Sequence, residues 1–158
     1  MLDWTPVGAL SEQVADLKHL KELSVKKCGL TALPSRLPEI KNLRSLNVSF
    51  NRIDVLPLSI GELRELESLN ICATLVHVLP DSLRKLSKLI HLDISGTPLT
   101  TLPEWVGTMV SLTNIVAAKL WHIKKVPRYE GKTISTYLYA LTQPDGEGWL
   151  ESLGWPRK

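Results

Sequence analysis

Hydrophobic residues return at a fixed interval along most of this chain. Leu-Pro pairs recur every 23 residues, and Val126-Pro127 comes one residue late. Aligned on these pairs, the chain divides into five units: 11–33, 34–56, 57–79, 80–102 and 103–126. A sequence period in this range is typical of a solenoid, whose units pack on their neighbours because none can bury its apolar side alone.

The apolar spacing changes within each unit. In the second unit, Leu37, Ile40 and Leu43 follow a three-residue rhythm, which suits a 3-10 turn. Leu46 and Val48 then alternate with polar residues, as in a strand with one buried face. Most units open with a proline, whose fixed φ suits the start of a turn. Each unit therefore predicts one short strand and one outer turn, with five or six parallel strands on one side of the solenoid.

The repeated pattern L-x-x-L-x-L-x-x-N/C-x-L-x-x-L-P resembles the leucine-rich repeat, in its 23-residue Leu-Pro intracellular class. Similar repeats occur in Ras-suppressor-like scaffolds, plant Ras-group proteins, immune receptors and bacterial effectors. The resemblance implies an α/β solenoid with a parallel concave sheet, short 3-10 or irregular convex turns and a C-terminal helical cap. The general preference of β–crossover–β connections makes it right-handed. The family's Asn/Cys position is occupied by Cys28, Asn51, Thr74 and Thr97, which implies a structural role for these residues.

The start of the chain matches the interior of a unit. Thr5-Pro6-Val7 aligns with Thr97-Pro98-Leu99, so residues 1–10 form a partial first repeat and the predicted solenoid covers 1–127. Such an end exposes core positions unless something covers it. We therefore expect either a fragment of a longer protein, which we favour, or an end covered by a partner or by a second copy in a homodimer.

Residues 128–158 depart from the repeat and predict a capping helix and a tail. Ile134, Leu138 and Leu141 have helical spacing, and Gly131 and Tyr137 resemble the capping helix of similar repeat proteins. The tail at 149–155 is rich in Trp and Leu, so it either packs on the cap or serves as a recognition peptide. Around Trp121-His122 the fifth unit carries an extra residue, which predicts a reshaped turn.

Composition narrows the function without fixing it. The chain has 158 residues, 44% of them hydrophobic and 22% charged, and its net charge of +3 is scattered along the sequence. These values argue against disorder, nucleic-acid binding and an anionic membrane surface. Two cysteines without a CxxC motif and the lack of a signal segment predict a cytoplasmic location.

Catalytic motifs are not found. The sequence has no Gly-rich phosphate loop, no GxSxG elbow and no metal-ligand cluster. No two of the four histidines occupy equivalent positions in different units. We therefore expect no enzyme activity, no cofactor and no metal.

The outward positions of the strands form columns across the units and predict a binding face. A first column runs from Glu22 to Asn114, a second from Ser24 to Asp93, and a third contains Lys26, Ser49, Cys72 and Ser95. All three are expected to point outward, and Phe50 beside them resembles a hot-spot anchor. Exposed strand residues are polar in any case, so a purely solvated face is the alternative. The predicted partner-binding residues are Glu22, Ser24, Lys26, Ser45, Asn47, Phe50, Ser68, Asn70, His91, Asp93 and Asn114.

Two functions are consistent with this face. The first is a protein-interaction module, as part of a scaffold, receptor or effector, that binds a partner protein on its concave side. The second is a targeting or regulatory fragment of a multidomain enzyme, such as a ubiquitin ligase, kinase or Ras-like GTPase, with the catalytic domain outside this chain. Both use the same surface, and the sequence does not separate them.

Overall fold

The computed structural model describes residues 3–5, 7–117, 120 and 123. The predicted capping helix and tail, the reshaped turn at Trp121-His122, and the boundary between residues 127 and 128 lie outside the described residues. The division into a solenoid and a cap is therefore still a prediction.

Each unit contributes one three-residue strand to a single parallel sheet. The strands are Glu22–Ser24 (β1), Ser45–Asn47 (β2), Ser68–Asn70 (β3), His91–Asp93 (β4) and Asn114–Val116 (β5). Their order in the sheet is their order in the sequence, and every pair is parallel. The central leucines are in register, since Leu23 pairs with Leu46 and Leu46 with Leu69. The predicted solenoid strands and their register are confirmed.

The opposite side of the solenoid consists of short helical turns. Four are 3-10 helices, at Glu12–Asp16, Leu37–Glu39, Leu58–Glu62 and Asp81–Lys85. Pro57 and Pro80 directly precede the third and fourth turns in an extended conformation, as the sequence predicts. In the first unit Ser11 takes this place, and its hydroxyl accepts a hydrogen bond from the Gln13 N–H at 3.2 Å.

The fifth outer turn differs from the 3-10 or irregular geometry that was expected. Residues Glu104–Thr108 form a short α-helix (α1). The Met109 N–H donates to the Trp105 carbonyl four residues back, at 3.0 Å. In the fourth unit the equivalent N–H, that of Leu86, donates to Leu83 only three residues back. This single change of partner converts the turn from 3-10 to α.

The core is a ladder of aliphatic side chains between the sheet and the turns. Leu46, Leu69 and Leu92 are fully buried in the three central strands. Leu23 in the first strand keeps 8% of its surface exposed, since no complete unit covers its outer side. The central units therefore have two neighbours and the first unit has one, as expected for nearest-neighbour stacking.

Asn51 links two units from a buried position in the turn after β2. Its Oδ1 accepts hydrogen bonds from the N–H groups of Cys28 and Leu30, both at 3.0 Å. Its Nδ2 donates to the carbonyls of Val25 at 2.9 Å and Val48 at 2.8 Å. The side chain thus satisfies buried backbone groups that no strand pairs. This is the structural role that the leucine-rich repeat resemblance implies for Asn51.

Threonines replace the asparagine in the next two units. The hydroxyls of Thr74 and Thr97 donate to the carbonyls three residues back, Ile71 and Ile94, both at 2.7 Å. Both threonines are buried. A hydroxyl satisfies one carbonyl within its own unit, but it does not reach the preceding unit as Asn51 does.

The N-terminal side of the described solenoid leaves apolar surface uncovered. Leu17 is 54% exposed, whereas the equivalent Ile40, Leu63 and Leu86 of later units are fully buried. Val7 is 45% exposed. Both side chains are thus exposed apolar surface at this side of the described solenoid, and the fragment and the homodimer are both still predictions.

Ion pairs connect the outer turns of neighbouring units. Lys85 lies 3.2 Å from Glu62, and Lys88 lies 2.7 Å from Glu65, in each case between units three and four. Glu39 contacts Arg36 at 2.9 Å and Lys18 of the first unit at 3.0 Å. Hydrogen bonds from Arg36, then from Lys18, lower the pKa of Glu39 from 4.5 to about 2. These pairs are solvent-exposed, so each contributes little to stability on its own.

Truncation of a central core leucine should be strongly destabilising. We expect Leu69→Ala to lower the free energy of unfolding by about 2–5 kcal/mol, because it leaves a cavity between two stacked units. Leu23→Ala is the matched control and should cost less, since Leu23 packs against fewer neighbours. Urea unfolding followed by circular dichroism measures both. Equal losses, or an unchanged midpoint for Leu69→Ala, would contradict nearest-neighbour packing.

Stability should fall at acid pH through the carboxylates of the outer turns. The folded pKa of Glu39 lies below its ordinary value of 4.5, so its contribution is complete above pH 4.5 and is lost as the pH falls towards about 2. We expect the urea midpoint to be flat above about pH 5.5 and to decline below it. Glu39→Gln should flatten part of that decline. If the urea midpoint of Glu39→Gln declines as steeply as that of the parent chain, the loss of stability at acid pH comes from other carboxylates.

Candidate functional site

The five strands place the predicted polar columns side by side on one surface, named here the sheet face. Strand pairing aligns Ser45 with Ser68, Ser68 with His91, and His91 with Asn114. Neighbouring strands of a sheet lie about 4.8 Å apart, so these side chains form a continuous row. The second column aligns in the same way, and the middle residue of each strand points to the core. The members of the first column are Glu22, Ser45, Ser68, His91 and Asn114, and those of the second are Ser24, Asn47, Asn70, Asp93 and Val116.

Three second-column residues hold the turn that follows their own strand. The Oδ1 atoms of Asn47, Asn70 and Asp93 each accept a hydrogen bond from the backbone N–H two residues later, at 3.0, 2.9 and 3.0 Å. Asn70 also donates through Nδ2 to Asp93 Oδ2 at 3.2 Å. These are Asx turns, in which the side chain replaces a backbone acceptor. The sequence predicted either partner binding or a solvated face for these residues, although an Asn or Asp at a strand end is also an Asx-turn signal.

In the first unit, the acceptor for this turn is Asp3, which lies outside the unit in the partial first repeat. Ser24 has a side chain too short for an Asx turn. Instead Asp3 Oδ1 accepts hydrogen bonds from the Ser24 hydroxyl at 2.6 Å and from the Lys26 N–H at 2.9 Å. The bond from Ser24 is the main cause that lowers the pKa of Asp3. Asp3 was not among the predicted site residues, because its partners are 21 and 23 residues away in sequence.

The third column does not point outward as the sequence analysis expected. Ser49 keeps only 2% of its surface exposed and Ser95 9%, while Lys26 and Cys72 are half-buried. The prediction is therefore wrong for the two serines. The regular strands end at Asn47 and Asp93, so the alternation of exposed and buried positions stops before the third column. The sheet face consists of two columns and not three.

The position after the third column has left-handed backbone in five successive units. The φ angles are 68° for Trp4, 55° for Lys27, 58° for Phe50, 52° for Ala73 and 64° for Gly96. Glycine adopts this conformation at no steric cost, but a residue with a Cβ pays for it. At four of these five positions the residue carries a Cβ, so its left-handed backbone conformation is unfavourable.

Two aromatic rings and two lysines meet at the left-handed column of the first units. Lys27 Nζ lies 4.0 Å from the centroid of the Trp4 ring, and Lys26 Nζ lies 5.1 Å from that of Phe50. Both distances fit cation–π interactions. The rings are nonetheless open to solvent, with Trp4 63% and Phe50 49% exposed. We call these four residues the aromatic–basic corner.

Units three and four have small residues at the equivalent left-handed position. Ala73 and Gly96 follow Phe50 in the left-handed column. A Cβ on Gly96 would come no closer than 3.8 Å to Ala73, so no other group of the described residues occupies this space. Within the described part of the chain, the aromatic–basic corner therefore lies next to an open area beside Ala73 and Gly96.

Chemistry that needs a metal or a nucleophile has little support in this arrangement. Among the described residues, no three His, Cys, Asp or Glu side chains are close enough to hold a metal ion. His91 lies between Ser68 and Asn114 in the sheet. The Oδ1 of Asn114 is buried and accepts no hydrogen bond from the described part of the chain. The groups available on this face are hydrogen-bonding and apolar, which suits non-covalent recognition.

A stack of 23-residue units with a parallel sheet on one side defines a leucine-rich repeat solenoid. The family model described as leucine-rich repeat region matches residues 36–129, more than half of the chain. The chain belongs to the leucine-rich repeat family.

Solved structures with this fold come from bacteria and plants. A leucine-rich repeat protein of Leptospira interrogans is 29% identical, with a TM-score of 0.71 over 77% of this chain and 31% of its own. The plant peptide hormone receptor RGFR1, solved in complex with RGF2, is 26% identical, with a TM-score of 0.62 over 70% of this chain and 19% of its own. An internalin of Listeria monocytogenes is 20% identical, with a TM-score of 0.63 over 78% of this chain and 39% of its own, and this likeness shows the fold alone.

The chain spans between 19% and 39% of the length of these three structures. No curated protein matches it in sequence. Within the residues that the structure describes, no helix is long and apolar enough to cross a membrane.

Removal of the Phe50 side chain should leave the fold nearly as stable as before. We expect Phe50→Gly to change the free energy of unfolding by less than about 1 kcal/mol, because relief of the left-handed strain offsets the lost burial of half a ring. Ala73→Gly is the matched control, since it relieves the same strain and removes little contact surface, and it should stabilise the chain. Urea unfolding tests both variants. A loss of more than about 2 kcal/mol for Phe50→Gly would show that the ring mainly supports the core.

Proposed function

We propose that this chain is a protein-interaction module that binds a partner protein across its sheet face. The observation that supports this most is the register of the five strands, which lines up outward side chains from five units on one parallel sheet. A partner can contact several units at once on such a surface. The plant peptide hormone receptor RGFR1, which shares the fold, was solved in complex with RGF2.

The rigidity of the sheet face favours binding of a partner at low entropic cost. Its strands are held by backbone hydrogen bonds, and Asn47, Asn70 and Asp93 fix the turns that follow. Binding therefore requires little ordering of the protein itself, which is one of the main costs of association. The small Ser45 and Ser68 side chains allow close approach of a partner backbone.

The predicted binding residues divide into two groups by their contacts. We propose that Ser45, Ser68 and His91 contact the partner directly, with Phe50 as an anchor and with Glu22, Lys26 and Asn114 at the edges. Asn47, Asn70 and Asp93 would contribute chiefly by holding the sheet in shape, and Ser24 by its bond to Asp3. Substitution of the second group would therefore damage structure and binding together.

The wider protein context is also a proposal. The chain covers less than two-fifths of each solved structure described above, which fits a recognition region within a longer scaffold, receptor or effector. A targeting or regulatory region of a multidomain enzyme would use the same face. Cys28 and Cys72 are both thiols in the structure. We propose a cytoplasmic location, because the cytoplasm is a reducing compartment in which cysteines remain thiols.

A matched pair of serine substitutions tests the sheet face. We expect Ser68→Arg, in the middle of the first column, to reduce binding to a partner recovered by pull-down by at least about tenfold, because a long charged side chain prevents close approach. Ser87→Arg is the control, since it makes the same change at an exposed position outside the strands. Both variants should unfold at nearly the same urea concentration. Binding is measured by surface plasmon resonance with the purified partner.

The two variants separate the possible outcomes. Loss of binding only in Ser68→Arg supports the sheet face. Equal loss in both variants, or loss only in Ser87→Arg, would place the contact elsewhere on the solenoid and overturn the proposal.

A further inference from the structure

The aromatic–basic corner contains charged groups arranged differently from those of the outer turns. On the outer turns, Lys18, Lys85 and Lys88 each lie within 3.2 Å of a carboxylate. Lys26 and Lys27 instead lie over aromatic rings, and the ion pairs of the described residues include neither of them. Their ammonium groups therefore retain donors for a ligand.

The carboxylate nearest to this corner is already engaged. Asp3 accepts hydrogen bonds from the Ser24 hydroxyl and from the backbone N–H of Lys26, and not from the Lys26 ammonium. The charge of Lys26 is only a minor cause of the lowered pKa of Asp3. Two lysines and one aspartate leave one net positive charge at the corner.

The sheet face carries few charges besides these two lysines. Glu22 lies at the start of β1 in the same unit, and Asp93 lies three units away in β4. The paired strand positions of units two and three carry serines and asparagines without charge. A partner laid across several units would meet these charges at fixed positions, so the face favours one orientation.

The backbone adds an independent indication. Trp4, Lys27 and Phe50 occupy the left-handed column, where glycine would fold at less cost, as Gly96 shows in the fourth unit. Large side chains in such a conformation require compensation from their contacts. Trp4 is 63% exposed and Phe50 49%, so contacts within the chain provide only part of this compensation.

We propose that the aromatic–basic corner recognises an acidic segment of the partner protein, with a carboxylate between Lys26 and Lys27 and an apolar side chain against Phe50. This inference rests on the proposed function of the sheet face and names the chemistry of its partner. An exposed ring beside two cations fits a glutamate or aspartate next to an apolar residue better than a uniformly charged polymer. The apolar contact provides affinity, and the charge fixes the orientation.

The test uses two capped synthetic peptides and the full chain. One peptide alternates glutamate with leucine and phenylalanine, and the other has glutamine in place of each glutamate. NMR titration of the isotope-labelled chain reports both affinity and location. We expect the glutamate peptide to bind roughly tenfold more tightly, with the largest shifts at Trp4, Lys26, Lys27 and Phe50, and to weaken as salt is added.

Matched variants assign this preference to the corner. Lys26→Gln combined with Lys27→Gln should abolish the roughly tenfold preference for glutamate and leave binding of the glutamine peptide unchanged. Lys21→Gln combined with Lys41→Gln makes the same change in net charge at exposed positions elsewhere and should preserve the preference. Equal loss in both double variants, or shifts located elsewhere, would overturn the proposal. So would an oligothymidylate of equal charge that binds the corner as tightly as the glutamate peptide.

The partner recovered by pull-down separates this inference from the function on which it rests. If Ser68→Arg abolishes its binding and the Lys26→Gln/Lys27→Gln variant does not, the sheet face stands and the acidic-segment proposal fails. If only the lysine variant reduces binding, the corner stands and the sheet-wide interface fails. Reduction by both variants supports the two proposals together.

Discussion

The whole structure depends on in-register stacking of units that are unstable alone. Each strand has only three residues, too few to be stable without pairing to a neighbouring unit. The backbone pairing and the leucine ladder must therefore repeat at the same interval, because a unit of different length would break one or the other. The constant 23-residue spacing of the Leu-Pro pairs satisfies both requirements at once. The fold and the rows of outward side chains on the sheet both follow from this repeat.

The sequence predicts the parts of the structure that repeat. It does not predict the hydrogen bonds that a side chain of one unit makes to the next unit. The strands, the core leucines and the structural role of Asn51 were predicted correctly from their fixed positions in the repeat. Asp3, which completes the turn of the next unit, was not, because its hydrogen bonds depend on three-dimensional neighbours that no local pattern shows. The buried Ser49 and Ser95 were misjudged for a related reason: strand alternation was extended past the point where the strand ends.

The candidate site shows the same division. Strand register brought the polar columns together as predicted, so the location of the face could be read from the sequence. The distinction between residues that contact a partner and residues that hold the turns could not, since Asn47 and Ser45 look equally exposed in a strand pattern. Hydrogen-bond geometry separates them. A polar residue on a sheet is therefore weak evidence for binding until its own backbone contacts have been examined.

The left-handed column shows how structure and function can compete for one position. Units one to four all use this conformation to pass from the strand into the turn, and the fourth unit uses glycine for it. A glycine there would offer a partner no side chain. Placing Lys27 and Phe50 at this position costs backbone energy, but it sets their side chains at the edge of the sheet, close to where a partner would lie. The solenoid tolerates that cost because each unit packs on its neighbours, so a strained residue in one turn does not unfold the stack.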